Sequence, residues 1–305
     1  MTLTLTQWLL VPLLSPFCIG LTRKVKAKLQ NRQGASCFQP YRDLWKLFHK
    51  DEIISNDASF IFRFAPIIIF AVTLLVGGSI PLLSLTGLGR MSDFLVIVYL
   101  LALGTFFLAL AGMDTGSAFG GFGSSREMFV AALTEGGLIF SLLTLAFIAN
   151  STNLFAMANA AGSISPRTVA PLILAFISFT IALLAETSRY PFDNPATHLE
   201  LTMIHEAMIL EYSGKRLAIM EWAAANKYLI FFALGANLFF PWGLAGTKNL
   251  AALLVSLIIF IVKISVFCAG VGVLESSMAK LRIFRLPDLL FTSFILGVLA
   301  IGLTI

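Results

Sequence analysis

The chain has 305 residues, of which 58% are hydrophobic and 12% charged, about half the charged share of an average soluble domain. That composition excludes an ordinary soluble globular protein. The net charge of +5 is not a nucleic-acid signal, because the lysines and arginines sit beside apolar runs and follow the sides of a membrane. Cys18, Cys37 and Cys268 lie far apart without a C-x-x-C pair, which disfavours an iron–sulfur or structural zinc site within the chain.

Eight apolar runs, near 3–22, 60–84, 94–113, 128–149, 169–187, 225–245, 250–274 and 287–305, are each long enough to cross the hydrocarbon layer. They predict an all-α, polytopic integral membrane protein of about eight transmembrane helices, with residues 1–305 as one membrane domain. No polar stretch is long enough to bury a core of its own. The first run starts at residue 3 without a basic n-region or an A-x-A site, and reads as a retained helix rather than a signal peptide. Gly78 and Pro81 fall in the second run, where neighbouring helices can cover the freed backbone groups. Trp242 suits an interfacial anchor at the end of the sixth.

Alternate loops then share a side. Loops 23–59, 114–127, 188–224 and 275–286 hold fifteen basic residues: eight from Arg23 to Lys50, then Arg126, Arg189, Lys215, Arg216, Lys280, Arg282 and Arg285. The opposite side holds Arg90, Arg167 and Lys248. This asymmetry predicts that the fifteen lie in the cytoplasm and that both termini lie outside. His49, His198 and His205 fall on the basic side too, so a docked partner is expected there.

Few charges stand inside the runs. Glu135 lies about two turns into the fourth and Lys263 in the middle of the seventh; Glu186 and Glu275 end the fifth and seventh. A carboxyl at the depth of Glu135 can serve a proton relay, or pack as a group hydrogen-bonded to a neighbouring helix. Lys263 needs a carboxylate or a water-filled cavity, with Glu135 as the candidate partner. Between Asp114 and Arg126 runs a Gly/Ser-rich stretch. It lacks the G-K-[ST] ending and a preceding strand of a phosphate loop, and predicts a tight turn packed near residues 186–214.

Residues 186–214 form a long polar interval between two apolar runs, with Glu186, Arg189, Asp193, His198, Glu200, His205, Glu206 and Glu211 threaded among apolar side chains. A plain solvated loop is one reading. The mixture favours a segment half buried in protein and half facing a cavity or partner. A helix starting near Pro195 puts His198, Thr202 and His205 on one face. Two histidines without a third ligand, and without H-E-x-x-H spacing, make a weak metal site. A hydrated channel face with histidines titrating near neutrality, or a contact surface for a partner, fits better.

Glu186-x-x-Arg189-x-Pro191-Phe192-Asp193, followed by Glu211-Tyr212-Ser213-Gly214, resembles the signature of subunit 1 of respiratory complex I and of the homologous membrane subunit of energy-converting [NiFe] hydrogenases of the formate hydrogenlyase type. Asn31-Arg32-Gln33-Gly34, Gln39-Pro40-x-x-Asp43-x-x-Lys46-Leu47, the spacing of nine between Arg126 and Glu135, and Lys280-x-Arg282-x-x-Arg285-x-x-Asp288 extend the resemblance along the chain. Asp114-Thr-Gly-Ser-x-Phe119 and Ser125-Arg126-Glu127 look like the hydrogenase branch. Ala196 and His198 stand where quinone-reducing members usually carry acids.

The resemblance implies a membrane anchor that couples redox chemistry in a docked cytoplasmic arm to proton or sodium movement. It is a non-catalytic subunit of an oxidoreductase complex in the bacterial inner membrane. The alternative is the quinone-site subunit of a respiratory NADH:quinone-type dehydrogenase. Expected partners are [NiFe] hydrogenase-like large and small subunits, an iron–sulfur protein, antiporter-like membrane subunits and the lipid bilayer, with no nucleic acid. Iron–sulfur clusters and the NiFe centre belong to those partners; this chain carries no catalytic or metal-binding residue and no cofactor of its own, with quinone left open. The expected ion path is Glu135, Glu186, Glu200, Glu211 and Lys263. Loop shape and docking fall to Arg32, Asp43, Lys46, Asp114, Arg126, Arg189, Asp193, His198 and His205.

Overall fold

The computed structural model describes residues 2–55, 57–85, 92–162, 166–193, 203–246 and 249–304. They form eleven helices: α1 (Thr2–Leu29), α2 (Gln39–Phe48), α3 (Phe60–Ser79), α4 (Phe94–Asp114), α5 (Ala118–Ala149), α6 (Leu154–Ala161), α7 (Pro166–Glu186), α8 (His205–Ile209), α9 (Gly214–Leu234), α10 (Leu250–Ser277) and α11 (Leu286–Gly302). Eight of these, all but α2, α6 and α8, are long and apolar enough to cross a membrane. No strand forms among the described residues; the Ser84–Ala245 and Asp93–Asn153 bridges are isolated.

Side chains start several helices. The Ser59 hydroxyl accepts from Ile61 N at 3.1 Å to open α3, and the Asp93 carboxylate accepts from Leu95 N at 2.9 Å to open α4. Each satisfies a donor that the first helical turn leaves free.

Three helices outrun their apolar stretches. α1 continues to Leu29, α5 begins at Ala118 and α9 at Gly214. Loop 114–127 therefore shrinks to residues 115–117, and 214–224 are the first turns of α9 rather than loop. Apolarity marks the stretch inside hydrocarbon, whereas the intrahelical hydrogen-bond ladder continues into water for as long as the backbone permits.

The Gly/Ser-rich stretch is likewise not a tight turn but the start of α5. A Cβ at Gly120 would stand 2.0 Å from the Gly112 carbonyl oxygen of α4, and one at Gly123 would stand 2.9 Å from both Ala207 Cβ and the Ile204 oxygen. These glycines let α4, α5 and the α8 segment close on one another, the small-residue packing that holds helices together where no hydrophobic drive exists between them. Hydroxyls do similar work between α7 and α11: Ser178 Oγ donates to Ser293 O at 2.7 Å, and Ser293 Oγ donates to Ser178 O at 2.9 Å.

α9 is the central element. Leu229 through Phe239 are buried on every face, between α1, α3 and α10. Its last turn relaxes into a π-helix, Gly235–Phe239.

Candidate functional site

A cavity of about 180 Å³ lies among α1, α2, α3, α4, α5, α7, α8 and α9. One part of its wall is apolar, with Ile69, Val72, Leu101 and Leu108; the rest is dense in ionisable groups.

At its heart is an ion pair. Lys227 of α9 places Nζ 2.7 Å from Glu186 Oε2 at the end of α7 and donates to Thr105 Oγ1 of α4 at 3.1 Å. Glu127 of α5 lines the same space, is 6% exposed, and makes no hydrogen bond or ion pair among the described residues. The charges of Lys227, Glu186 and Asp193 act on it. Removed from water without a fixed partner, a carboxyl in this position is poised to take up a cation or a proton.

Arg189 and Asp193 hold the wall in place. The Arg189 guanidinium lies over the Tyr228 ring at 4.4 Å and reaches Glu275 Oε1 at 3.3 Å, which Lys26 meets from α1 at 3.1 Å on Oε2. Asp193 accepts from the backbone N–H of Ile204 and of His205, both at 3.1 Å. It also pairs with Lys280 Nζ at 3.0 Å. One carboxylate thus ties the returning chain and the basic loop before α11 to the end of the polar interval.

His205 faces the cavity. Burial is the main cause that pushes its pKa down to about 4; Asp193 pulls it up, while Lys227 and Arg189 push it down further. The ring is neutral at pH 7, so the expectation of titration near neutrality is corrected for this histidine: its cationic neighbours and its loss of water outweigh one carboxylate.

Of the residues singled out in the sequence, the structure brings together Glu186, Arg189, Asp193, His205 and Asp43 around the cavity. Asp43 accepts from Gln39 Nε2 at 2.8 Å. Glu135 is two turns further along α5 than Glu127 and outside the lining, though the charges of Glu186 and Lys227 reach it. Arg126 reaches the Met203 carbonyl at 3.2 Å. Asp114 caps α3, accepting from Ser59 N and Oγ at 2.8 and 2.7 Å and from Phe62 N at 3.2 Å. Arg32, Lys46 and Glu211 are exposed at the surface. His198 and Glu200 lie outside the described residues.

Lys263 is not in the cavity, and Glu135 is not its partner. Its ammonium donates to Asn237 Oδ1 at 3.2 Å and to the carbonyls of Ala236 and Phe240 at 3.4 and 2.5 Å, under the Trp242 ring at 4.9 Å. The two carbonyls stand at the π-helical turn ending α9, where the regular intrahelical ladder is broken. They satisfy the lysine in place of a carboxylate.

Sequence reading missed Glu127 and Lys227. Lys227 carried the same signal as Lys263, an ammonium in a span, but stood at the edge of an apolar run. Glu127 was hidden by the reading of its segment as a loop. Among the described residues no three His, Cys, Asp or Glu side chains gather as a metal ion would require.

Comparison with known proteins gives consistent results. A family model described as NADH dehydrogenase matches residues 2–305. The chain is 34% identical to hydrogenase-4 component C of Escherichia coli (strain K12) over 97% of its length and 93% of that protein's. It is 32% identical to formate hydrogenlyase subunit 4 of the same strain, over 95% and 94%. NADH-ubiquinone oxidoreductase chain 1 of Mycosarcoma maydis is 32% identical over 75% of this chain and 71% of its own. The fold matches a chain in the solved structure of the membrane-bound sulfane sulfur reductase, an archaeal respiratory membrane complex, with a TM-score of 0.85 at 21% identity, covering 99% of this chain and 98% of that one.

Proposed function

The chain belongs to the NADH dehydrogenase family, as a membrane subunit of the complex I-like and energy-converting hydrogenase kind, and from that premise we propose that it anchors a redox arm and couples it to ion movement. The hydrogenase-type assembly is the favoured setting, because the relatives named hydrogenase-4 component C and formate hydrogenlyase subunit 4 match 97% and 95% of the chain, against 75% for the chain 1 protein of Mycosarcoma maydis. In this reading the protein is a multi-pass subunit of the bacterial inner membrane with both termini outside. The basic loops receive hydrogenase-like large and small subunits and an iron–sulfur protein, which hold the clusters and the NiFe centre. Antiporter-like subunits lie alongside in the bilayer.

The observation that carries the reading is the Glu127 carboxyl, unpaired among the described residues, lining the same cavity as the Lys227–Glu186 pair. Lys227 can neutralise one of the two carboxylates at a time. A shift of the wall held by Asp193, driven by a change of charge in the docked arm, moves the ammonium between them and releases or captures a proton. Glu135 extends the path along α5; Lys263, satisfied elsewhere, drops out of it.

The test uses the intact complex reconstituted in liposomes. Glu127→Gln retains assembly and redox turnover and abolishes the ion gradient, and Glu135→Gln lowers it. A Glu127→Gln complex that assembles and pumps normally would overturn the proposal. The apolar wall of Ile69, Val72, Leu101 and Leu108 supports a second reading, a quinone site; quinone extracted in stoichiometric amount from the purified complex, with turnover that depends on it, would favour that one.

A further inference from the structure

Cys18 of α1 and Cys268 of α10 are 250 residues apart in sequence but meet in the fold. Both are buried, at 1% and 0% exposure. Cys268 Sγ stands 3.6 Å from the Cys18 carbonyl oxygen, where α1 packs on α10. They lie at the edge of the bundle: α10 is one of the two least buried spans, and Val266 and Gly270 beside Cys268 are exposed. A lipid-soluble reagent reaches α10 directly at these exposed neighbours.

The pair is also wired to the cavity wall. Thr22, one turn along α1, donates to the same Cys18 carbonyl at 3.0 Å and shares a 3.0 Å hydrogen bond with the Tyr228 hydroxyl. Tyr228 in turn supports Arg189.

We propose that Cys18 and Cys268 form an intramembrane oxidation site, a dithiol that small lipid-soluble two-electron acceptors convert to a disulfide stapling α1 to α10. Two S–H bonds break and one Sγ–Sγ bond forms. The two electrons and two protons pass to the acceptor, reducing an azodicarboxamide to its hydrazine or a quinone to its hydroquinone. The disulfide has no S–H to offer the Cys18 carbonyl that Thr22 also meets, so oxidation alters the contact on which Tyr228 rests. The test does not depend on the ion path proposed above, since its first readout is chemical.

The experiment treats membranes holding the intact complex with the azodicarboxamide diamide, blocks free thiols with N-ethylmaleimide after denaturation, and maps peptides without reduction. The expected result is a linked Cys18–Cys268 peptide, lost on adding dithiothreitol. Alkylation of both cysteines falls, and the apparent unfolding midpoint of the detergent-purified protein rises. Cys268→Ala shows neither the peptide nor the midpoint shift. Cys18 and Cys268 both recovered as alkylated thiols, with no linked peptide, while glutathione added inside the vesicles is oxidised, would overturn the site; so would the same midpoint shift in Cys268→Ala.

Discussion

Removing the ammonium at position 227 tests the centre of the cavity. At 2.7 Å two unit charges attract by about 6 kcal/mol at an effective dielectric constant of about 20. Both side chains are largely out of water, at 19% and 7% exposure, so most of that attraction offsets the cost of their burial. Losing one partner leaves the other charged and uncompensated, which costs about 3–5 kcal/mol. Lys227→Met should therefore lower the apparent unfolding midpoint of the purified complex strongly. Glu186→Gln alone should cost less, because Lys227 keeps Thr105. The double variant Lys227→Met/Glu186→Gln should recover much of the loss, with a coupling energy of about 2–3 kcal/mol in the cycle. In proteoliposomes Lys227→Met should also uncouple redox turnover from the ion gradient, since no cation remains to alternate between Glu127 and Glu186. Additive effects of the two substitutions, within about 0.5 kcal/mol, would refute the coupling and with it the role given to the pair.

Three further outcomes follow from the geometry. His205 has a folded pKa of about 4 against 6.5 unperturbed, so its contribution is complete above pH 6.5 and is lost as pH falls from 6.5 through 4, by at most about 3 kcal/mol; thermal unfolding against pH should show this slope in the native chain and a flatter one in His205→Gln. Gly120→Val drives a side chain into the Gly112 carbonyl, beyond the 1–3 kcal/mol typical of overpacking, and should show as loss of folded protein in detergent, whereas Gly121→Val, where nothing lies within 4 Å of a Cβ, should not. Lys263→Met leaves the Ala236, Asn237 and Phe240 oxygens without their donor, a loss of about 1–3 kcal/mol for each group left unmet that relief of the buried ammonium partly offsets; the midpoint should fall while ion transport per assembled complex stays at the native level.

The eight spans were readable because each crossing needs an unbroken apolar run, and these runs are long. The polar interval after α7 was readable for the converse reason: Glu186, Arg189 and Asp193 have no use in lipid unless they face something else, and all three line the cavity. Helix ends were not readable from apolarity, since α5 and α9 begin at Ala118 and Gly214, about ten residues before their apolar runs. The partner of Lys263 was not readable either. Backbone carbonyls at a π-helical turn leave no mark in residue identity, and the search for a carboxylate pointed to Glu135, which lies elsewhere. Lys227 was readable in principle, by the rule applied to Lys263.

Helix α9 decides which parts of the site can move. Successive residues on a helix point about 100° apart, so Lys227 can aim into the cavity only while its neighbours hold one rotation. Asn226 accepts from Ser15 Oγ at 2.7 Å and donates to Thr73 Oγ1 at 3.2 Å, Trp222 Nε1 donates to the Pro12 carbonyl at 2.9 Å, and Tyr228 meets Thr22. Partners on α1 and α3 thus lock the register of α9 at three positions flanking the lysine. Rotation of α9 would break several buried hydrogen bonds together, at about 1–3 kcal/mol for each group left unmet, more than a change of one charge nearby supplies. Outside that locked frame stand the Lys227 side chain itself and the segment 203–209, which Asp193 and Arg126 hold by hydrogen bonds to backbone. In the mechanism proposed above, coupling to a docked arm enters through that segment and acts on the ammonium, with α9 as the frame against which both are displaced.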